Sequence, residues 1–137
     1  MPKVTTILGL DVGEKRIGVA VADSEVRIAI PYDTVTVDGS ELQSIAEIYT
    51  REKAEVLVVG YPRNQAGEPT AQTKFVTDFA EKLTDMSSNI VFQDESLTSV
   101  MAEQQLASYQ KPYTKADIDA QAAAIILNDY LEETYGK

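Results

Sequence analysis

Valine, isoleucine, leucine and glycine dominate two early runs, residues 4 to 12 and 16 to 23, which predict two strands joined by the short turn Gly13-Glu14-Lys15. Such a pair reads as a hairpin. The β-branched pattern continues from Ile28 to Val37 and is interrupted by Pro31. Proline has no N–H to donate to a ladder, so this third strand is expected at a sheet edge. Beyond Gly39 the period changes, and Leu42, Ile45, Ala46, Ile48 and Tyr49 recur at helical spacing as far as Lys53, behind Asp38 or Ser40 as N-cap. Val56 to Gly60 is an unbroken apolar run, the pattern of a strand covered on both faces and therefore expected to be central. The turn-forming segment Tyr61 to Pro69 leads to a helix from about Thr70 to Thr84, where Phe75, Phe79 and Leu83 stand four apart. Ile90 to Gln93 predicts a strand, a helix begins near Thr98, and Tyr109 to Tyr113 is a polar loop. The last helix opens on Thr114, with Asp117 three residues on to complete a capping box, and runs to about Glu133.

The predicted order, β-β-β-α-β-α-β-α-α, defines an α/β protein. Its mixed five-stranded sheet has three antiparallel strands plus two parallel ones and is flanked by helices. Right-handed crossovers place the fourth strand beside the first. The 137 residues suit a single domain over 1–137, without repeats, linkers or low-complexity tracts. No apolar stretch approaches the roughly 18 residues of a membrane span, and the start reads as a strand rather than a secretory signal, which predicts a cytoplasmic protein away from membranes.

Composition narrows the chemistry sharply. Cysteine and histidine are both absent, which excludes disulfides, thiolate nucleophiles, imidazole metal ligands and every His-dependent catalytic triad. Carboxylates are in excess, 22 against 12 basic residues, for a formal charge of -10. Such a chain is a poor generic polyanion binder, so any grip on nucleic acid must be local.

Three acids stand out by position. Asp11 interrupts the apolar run Leu8 to Val12, where a charge is costly unless it is paired or binds metal. Glu95 follows a strand at the carboxyl end, where parallel-type sheets present their sites. Asp119 lies one turn inside the last helix, in line with Ala123 and Ile126 of its apolar face. Carboxylates from three separate elements, without histidine, suit a hard cation, Mg²⁺ or Mn²⁺. Two such ions about 3.5–4 Å apart can activate a water and stabilise the leaving oxygen of a phosphodiester. Each acid also has an ordinary explanation. Asp11 can be a turn residue bonding the Gly13 or Glu14 amide, Glu95 a solvated loop acid, and Asp119 a first-turn acid favoured by the helix dipole. Lys15 and Arg16, beside the Asp11-x-Gly13 turn and Gly18, are either phosphate contacts or solvated turn charges.

Four ordered segments together are more specific. Residues 7–23 (ILGLDVGEKRIGVAVAD), 58–64 (VVGYPRN), 94–100 (DESLTSV) and 118–131 (IDAQAAAIILNDYL) resemble the motifs of the YqgF family, also called RuvX-like, whose members are assigned as Holliday junction resolvases or pre-16S ribosomal RNA nucleases. The resemblance covers nearly the whole chain. It implies a ribonuclease H-like fold and a metal-dependent nuclease, with Asp11, Glu95 and Asp119 at the family's catalytic, metal-binding positions. It also implies a nucleic-acid partner, either a ribosomal RNA precursor or a four-way DNA junction, and the candidate contacts in this sequence are Lys15, Arg16, Arg63, Asn64, Lys111 and Lys115. Ser96 stands where the family usually has arginine, and Arg63 where an apolar residue is usual, so Arg63 is read as replacing part of the missing charge.

A junction resolvase needs two active sites and hence a homodimer, whereas an RNA-processing enzyme can act as a monomer. Residues 7–23 also resemble the first phosphate loop of actin-like ATPases and sugar kinases, but 137 residues are too few for their two lobes. A non-catalytic nucleic-acid or ribosome-assembly module is the remaining alternative.

Overall fold

The computed structural model describes residues 4–62, 71–95, 98–110 and 112–136. Strands β1 (Thr6–Val12), β2 (Arg16–Asp23) and β3 (Ile30–Thr36) are followed by helix α1 (Glu41–Arg51) and strand β4 (Ala54–Pro62). Helix α2 (Ala71–Lys82), strand β5 (Ile90–Glu95) and helices α3 (Thr98–Ser108) and α4 (Lys115–Tyr135) complete the order expected from the periodicities. The strands form one sheet in the order β3-β2-β1-β4-β5. β1 runs antiparallel to β2, β2 antiparallel to β3, and β1-β4 and β4-β5 are parallel. The crossover rule thus put β4 where it belongs, beside β1. β1 is the middle strand and β4 lies one place off centre, flanked on both sides, which is enough to explain its unbroken apolar run. Pro31 falls on edge strand β3, next to a register shift opposite Val19 and Ala20.

Alternation divides the sheet's side chains between two cores. Leu8, Leu10, Val12, Ile17, Val19, Leu57 and Val59 face α1 and α2, joined by Ile45, Ile48, Val76, Phe79 and Leu83. Ile7, Ala20, Ala22, Val56 and Val58 face the other way, against Ala123, Ala124, Ile126, Leu127 and Leu131 of α4. α3 packs outside α4 through Ala102, Ala122 and Ile125. Ala120 to Leu127 of α4, apolar apart from Gln121, is therefore covered on one side by the sheet and on another by α3. Among the described residues, no helix is long and apolar enough to cross a membrane.

The two predicted helix starts differ in chemistry. At α4 the capping box forms as expected: Asp117 N donates to Thr114 Oγ1 (3.2 Å) and Thr114 N to Asp117 Oδ2 (2.9 Å). Thr114→Ala is expected to cost about 1 kcal/mol, read as a lower urea midpoint at unchanged slope. At α1, Ser40 holds the N-cap position without a side-chain cap bond. Its hydroxyl donates instead to Asp38 Oδ1 (2.7 Å), while Glu41 Oε1 accepts from Gly39 N (2.7 Å). Hydrogen bonds from Ser40 hold the Asp38 carboxyl below its ordinary pKa, and backbone N–H groups do the same for Glu41. Depressed carboxyl pKa values stabilise this turn at neutral pH, and the contribution is lost as pH falls through the folded-state values.

Candidate active site

The carboxyl ends of β1, β4 and β5, the start of β2 and the first turns of α4 meet at one end of the sheet. Asp11 is the sixth residue of β1 and pairs across the ladder with Gly18. Gly9, two residues earlier on the same face, lies under α4, where a methyl group would meet Leu127 Cβ at 2.9 Å and the Ala123 carbonyl oxygen at 3.3 Å. Asp11 therefore sits on the α4 face of the sheet, half-buried, where strand alternation would otherwise call for an apolar residue.

Gly18 is the hinge of the arrangement. A Cβ at this position would overlap the carbonyl oxygen and carbon of Asp119 and lie 3.0 Å from Ala120 N. The α4 backbone thus rests directly on β2 with no side chain between, at the residue that pairs with Asp11. The backbones of two of the three predicted acids, Asp11 and Asp119, are in this way both set against Gly18, from opposite ends of the chain. The Asp119 carboxylate, itself half-buried, accepts a hydrogen bond from Arg16 Nε at 2.5 Å, and the two side chains form an ion pair. Arg16 is the first residue of β2, two before Gly18, and its alternation with Gly18 puts it on the same face.

Glu95 is the last residue of β5, so the strand runs two residues past its predicted end and carries the acid on regular backbone rather than in a loop. It pairs with Pro62, and its position has the parity of Val91 and buried Gln93, both on the α4 face. Register links Leu10 to Val59 and Val59 to Phe92, so Glu95 lies two strands across from Asp11 and two residues further along. At the usual strand spacing and rise this is a backbone separation of about 12 Å. The Glu95 side chain lies outside the described residues. Among those described, no group of three Asp, Glu, His or Cys residues gathers closely enough to hold a metal.

The expected nucleic-acid contacts divide similarly. Lys15 is exposed at the β1-β2 turn, where its carbonyl oxygen accepts from Val37 N (3.0 Å), and Lys115 is exposed at the start of α4. Arg16, by contrast, is not a free turn charge: its Nε is held by Asp119, while its side chain stays partly exposed. Arg63, Asn64, Lys111 and Ser96 lie outside the described residues. Nothing local to Gly18, inside a predicted strand beside the Asp11-x-Gly13 turn, signals its contact with α4, and nothing local signals the Arg16–Asp119 pair, which spans 103 positions.

Chemically the site offers carboxylate oxygens and no softer donor, a set that fits a hard divalent cation. The Asp119 carboxylate already carries a positive partner, the Arg16 guanidinium.

Comparison with known proteins places this geometry. The family model described as "RuvX: Holliday junction resolvase" matches residues 5–133. A protein of Chloroflexus aurantiacus named "Putative pre-16S rRNA nuclease" is 43% identical over 131 residues, which is 92% of this chain and 86% of that one. Thermus thermophilus RuvC, solved in complex with a Holliday junction substrate, superposes with a TM-score of 0.57 at 14% identity, covering 96% of this chain and 97% of that one. Fowlpox virus resolvase, solved with substrate Holliday junction DNA, gives a TM-score of 0.59 at 12% identity, covering 96% and 99%. These likenesses establish the ribonuclease H-like fold of the mixed sheet.

Proposed function

The chain belongs to the RuvX family, and on that premise we propose that it is a divalent-cation-dependent endonuclease of structured nucleic acid, acting on the 5′ end of the small-subunit ribosomal RNA precursor. Its family and named relatives are nucleases. The observation that carries the site assignment is the close seating of α4 on Gly18, which sets Asp119 beside the strand pair holding Asp11.

Asp11, Glu95 and Asp119 are the residues that would hold Mg²⁺ or Mn²⁺. When bound, such ions make a water more acidic and offset charge on the leaving oxygen. The chain's own contribution is position. Asp11 is fixed by the β1-β2 ladder, Asp119 by helix-on-strand contact, and Glu95 by the end of β5, all regular elements that keep their geometry better than loops do. Lys15, exposed in the β1-β2 turn, and Lys115, exposed at the start of α4, are proposed as contacts to the nucleic acid, with Arg63, Asn64 and Lys111. In a chain of charge -10, affinity must come from these few cations, so binding should weaken only shallowly with salt, with a slope set by their small number. The proposed setting is the cytoplasm, with the protein a monomer or homodimer.

Cleavage of a Holliday junction is the second reading, favoured by the description of the family model itself. Incubating the protein and Asp11→Asn with ribosomal RNA precursor and with four-way junction DNA, with and without Mn²⁺, separates the two. Cation-dependent, Asp11-dependent cleavage of the RNA alone supports the first reading, and cleavage of the junction alone supports the second. Cation binding has its own readout. At a concentration about a hundred times the dissociation constant, a bound ion adds about 2.7 kcal/mol, so millimolar Mn²⁺ is expected to raise the melting temperature by about 5 °C or more. Indifference of melting to both Mg²⁺ and Mn²⁺ would count against the metal site.

A further inference from the structure

We propose that Arg16 is an internal counterion that occupies Asp119 until nucleic acid arrives, so that cation binding and phosphate binding assist each other. The inference rests on the cation-dependent nuclease reading and adds to it a coupling device. Three observations lead to it. Arg16 Nε lies 2.5 Å from Asp119 Oδ2, a charge-assisted contact between the start of β2 and the second turn of α4. Both side chains are partly exposed, 36% for Arg16 and 22% for Asp119, so a ligand from solvent can reach the pair without unfolding anything. Arg16 also stands two residues from Gly18 on the same face of the sheet, where the α4 backbone at Asp119 rests on the ladder partner of Asp11.

A divalent cation and this guanidinium compete for the same carboxylate. Held on Asp119, Arg16 lowers the affinity of the acids for a cation, both by blocking an oxygen and by adding positive charge nearby. A phosphodiester offers Arg16 an alternative anion, whose two non-bridging oxygens suit the guanidinium's planar fork. Once the guanidinium turns to the phosphate, Asp119 is released to the cation, and the cation in turn releases Arg16. By linkage the effect is reciprocal: each ligand raises affinity for the other by the same factor. An acidic protein with few cations at its site would in this way hold its metal firmly only when substrate is present.

The test uses the whole chain and Mn²⁺ alone, with bound ion counted by electron paramagnetic resonance. Arg16→Gln is expected to bind Mn²⁺ about tenfold more tightly than the unaltered protein. Arg16→Lys, which keeps the charge but not the Nε contact, should fall between them. In EDTA, fluorescence anisotropy should show Arg16→Gln binding four-way junction DNA several-fold more weakly. Equal or weaker Mn²⁺ affinity in a folded Arg16→Gln, confirmed by circular dichroism, would overturn the proposal, since an arginine that merely orients Asp119 gives that result. If the unaltered protein binds no Mn²⁺, the cation-dependent reading itself fails; if it binds and Arg16→Gln binds equally, only the counterion proposal does.

Discussion

Gly18→Ala is expected to destabilise the protein by about 3 kcal/mol and to remove cleavage even at temperatures where the variant stays folded. The sign is the informative part. In the interior of an ordinary strand, alanine is better than glycine by roughly 0.5–1 kcal/mol, because glycine loses more backbone freedom on folding. Here the added methyl would overlap the Asp119 carbonyl oxygen and carbon and press on Ala120 N. These are backbone atoms of a regular helix, and no rotamer change moves them aside, so α4 must lift from β2 or the hairpin must bend. Either movement separates Asp119 from Asp11. Gly9→Ala is the control: its methyl would also crowd α4, but against Leu127 Cβ at 2.9 Å, further along the helix from the acids. Urea denaturation should therefore rank Gly18→Ala below Gly9→Ala in stability, and Gly9→Ala should keep the larger share of its activity per folded molecule. A Gly18→Ala variant as stable and active as the unaltered protein would show that α4 is not seated by this contact.

Periodicity exposed most of the fold because each element's pattern answers to one packing demand. The unbroken run Val56 to Gly60 reports burial on two faces, and Pro31 reports an edge, without reference to the rest of the chain. The Thr114–Asp117 cap is legible for the same reason, being complete within four residues. Element ends were less legible. β5 continues to Glu95 because ladder pairing with Tyr61 and Pro62 holds Asp94 and Glu95 in the sheet, a neighbour's effect that local pattern does not contain. The site's acids could be chosen as charges that break apolar patterns, as Asp11 does in β1 and Asp119 on the apolar side of α4. What joins them could not. Gly18 reads as any glycine inside a predicted strand, and the Arg16–Asp119 pair exists only because α4 returns to β2 after 103 positions. Such contacts depend on the assembled layers, and their one trace in the sequence is smallness: Gly9, Gly18 and Ala20 on one side, Ala120, Ala123 and Ala124 on the other.

Asp11→Asn is expected to lower cleavage at least about a thousandfold, some 4 kcal/mol of transition-state stabilisation, while leaving the fold in place. Asparagine keeps the shape and one carbonyl oxygen of aspartate, so the half-buried position beneath α4 remains filled and the β1-β2 ladder is undisturbed. It removes the negative charge, and with it most of the attraction for a hard cation. Three measurements should then move together: cleavage falls, the rise in melting temperature with Mn²⁺ shrinks, and the urea midpoint without metal stays nearly constant. Asp119→Asn should differ in one respect. It also releases Arg16 from its partner, but a partly exposed ion pair contributes little to stability, of order 0–1 kcal/mol, so the metal-free protein should remain folded with Arg16 available to phosphate. Junction DNA in EDTA should accordingly bind Asp119→Asn more tightly than Asp11→Asn, although neither cleaves. If Asp11→Asn cuts at the normal rate, the carboxylate at the end of β1 is an ordinary turn acid and the catalytic centre of this protein lies elsewhere.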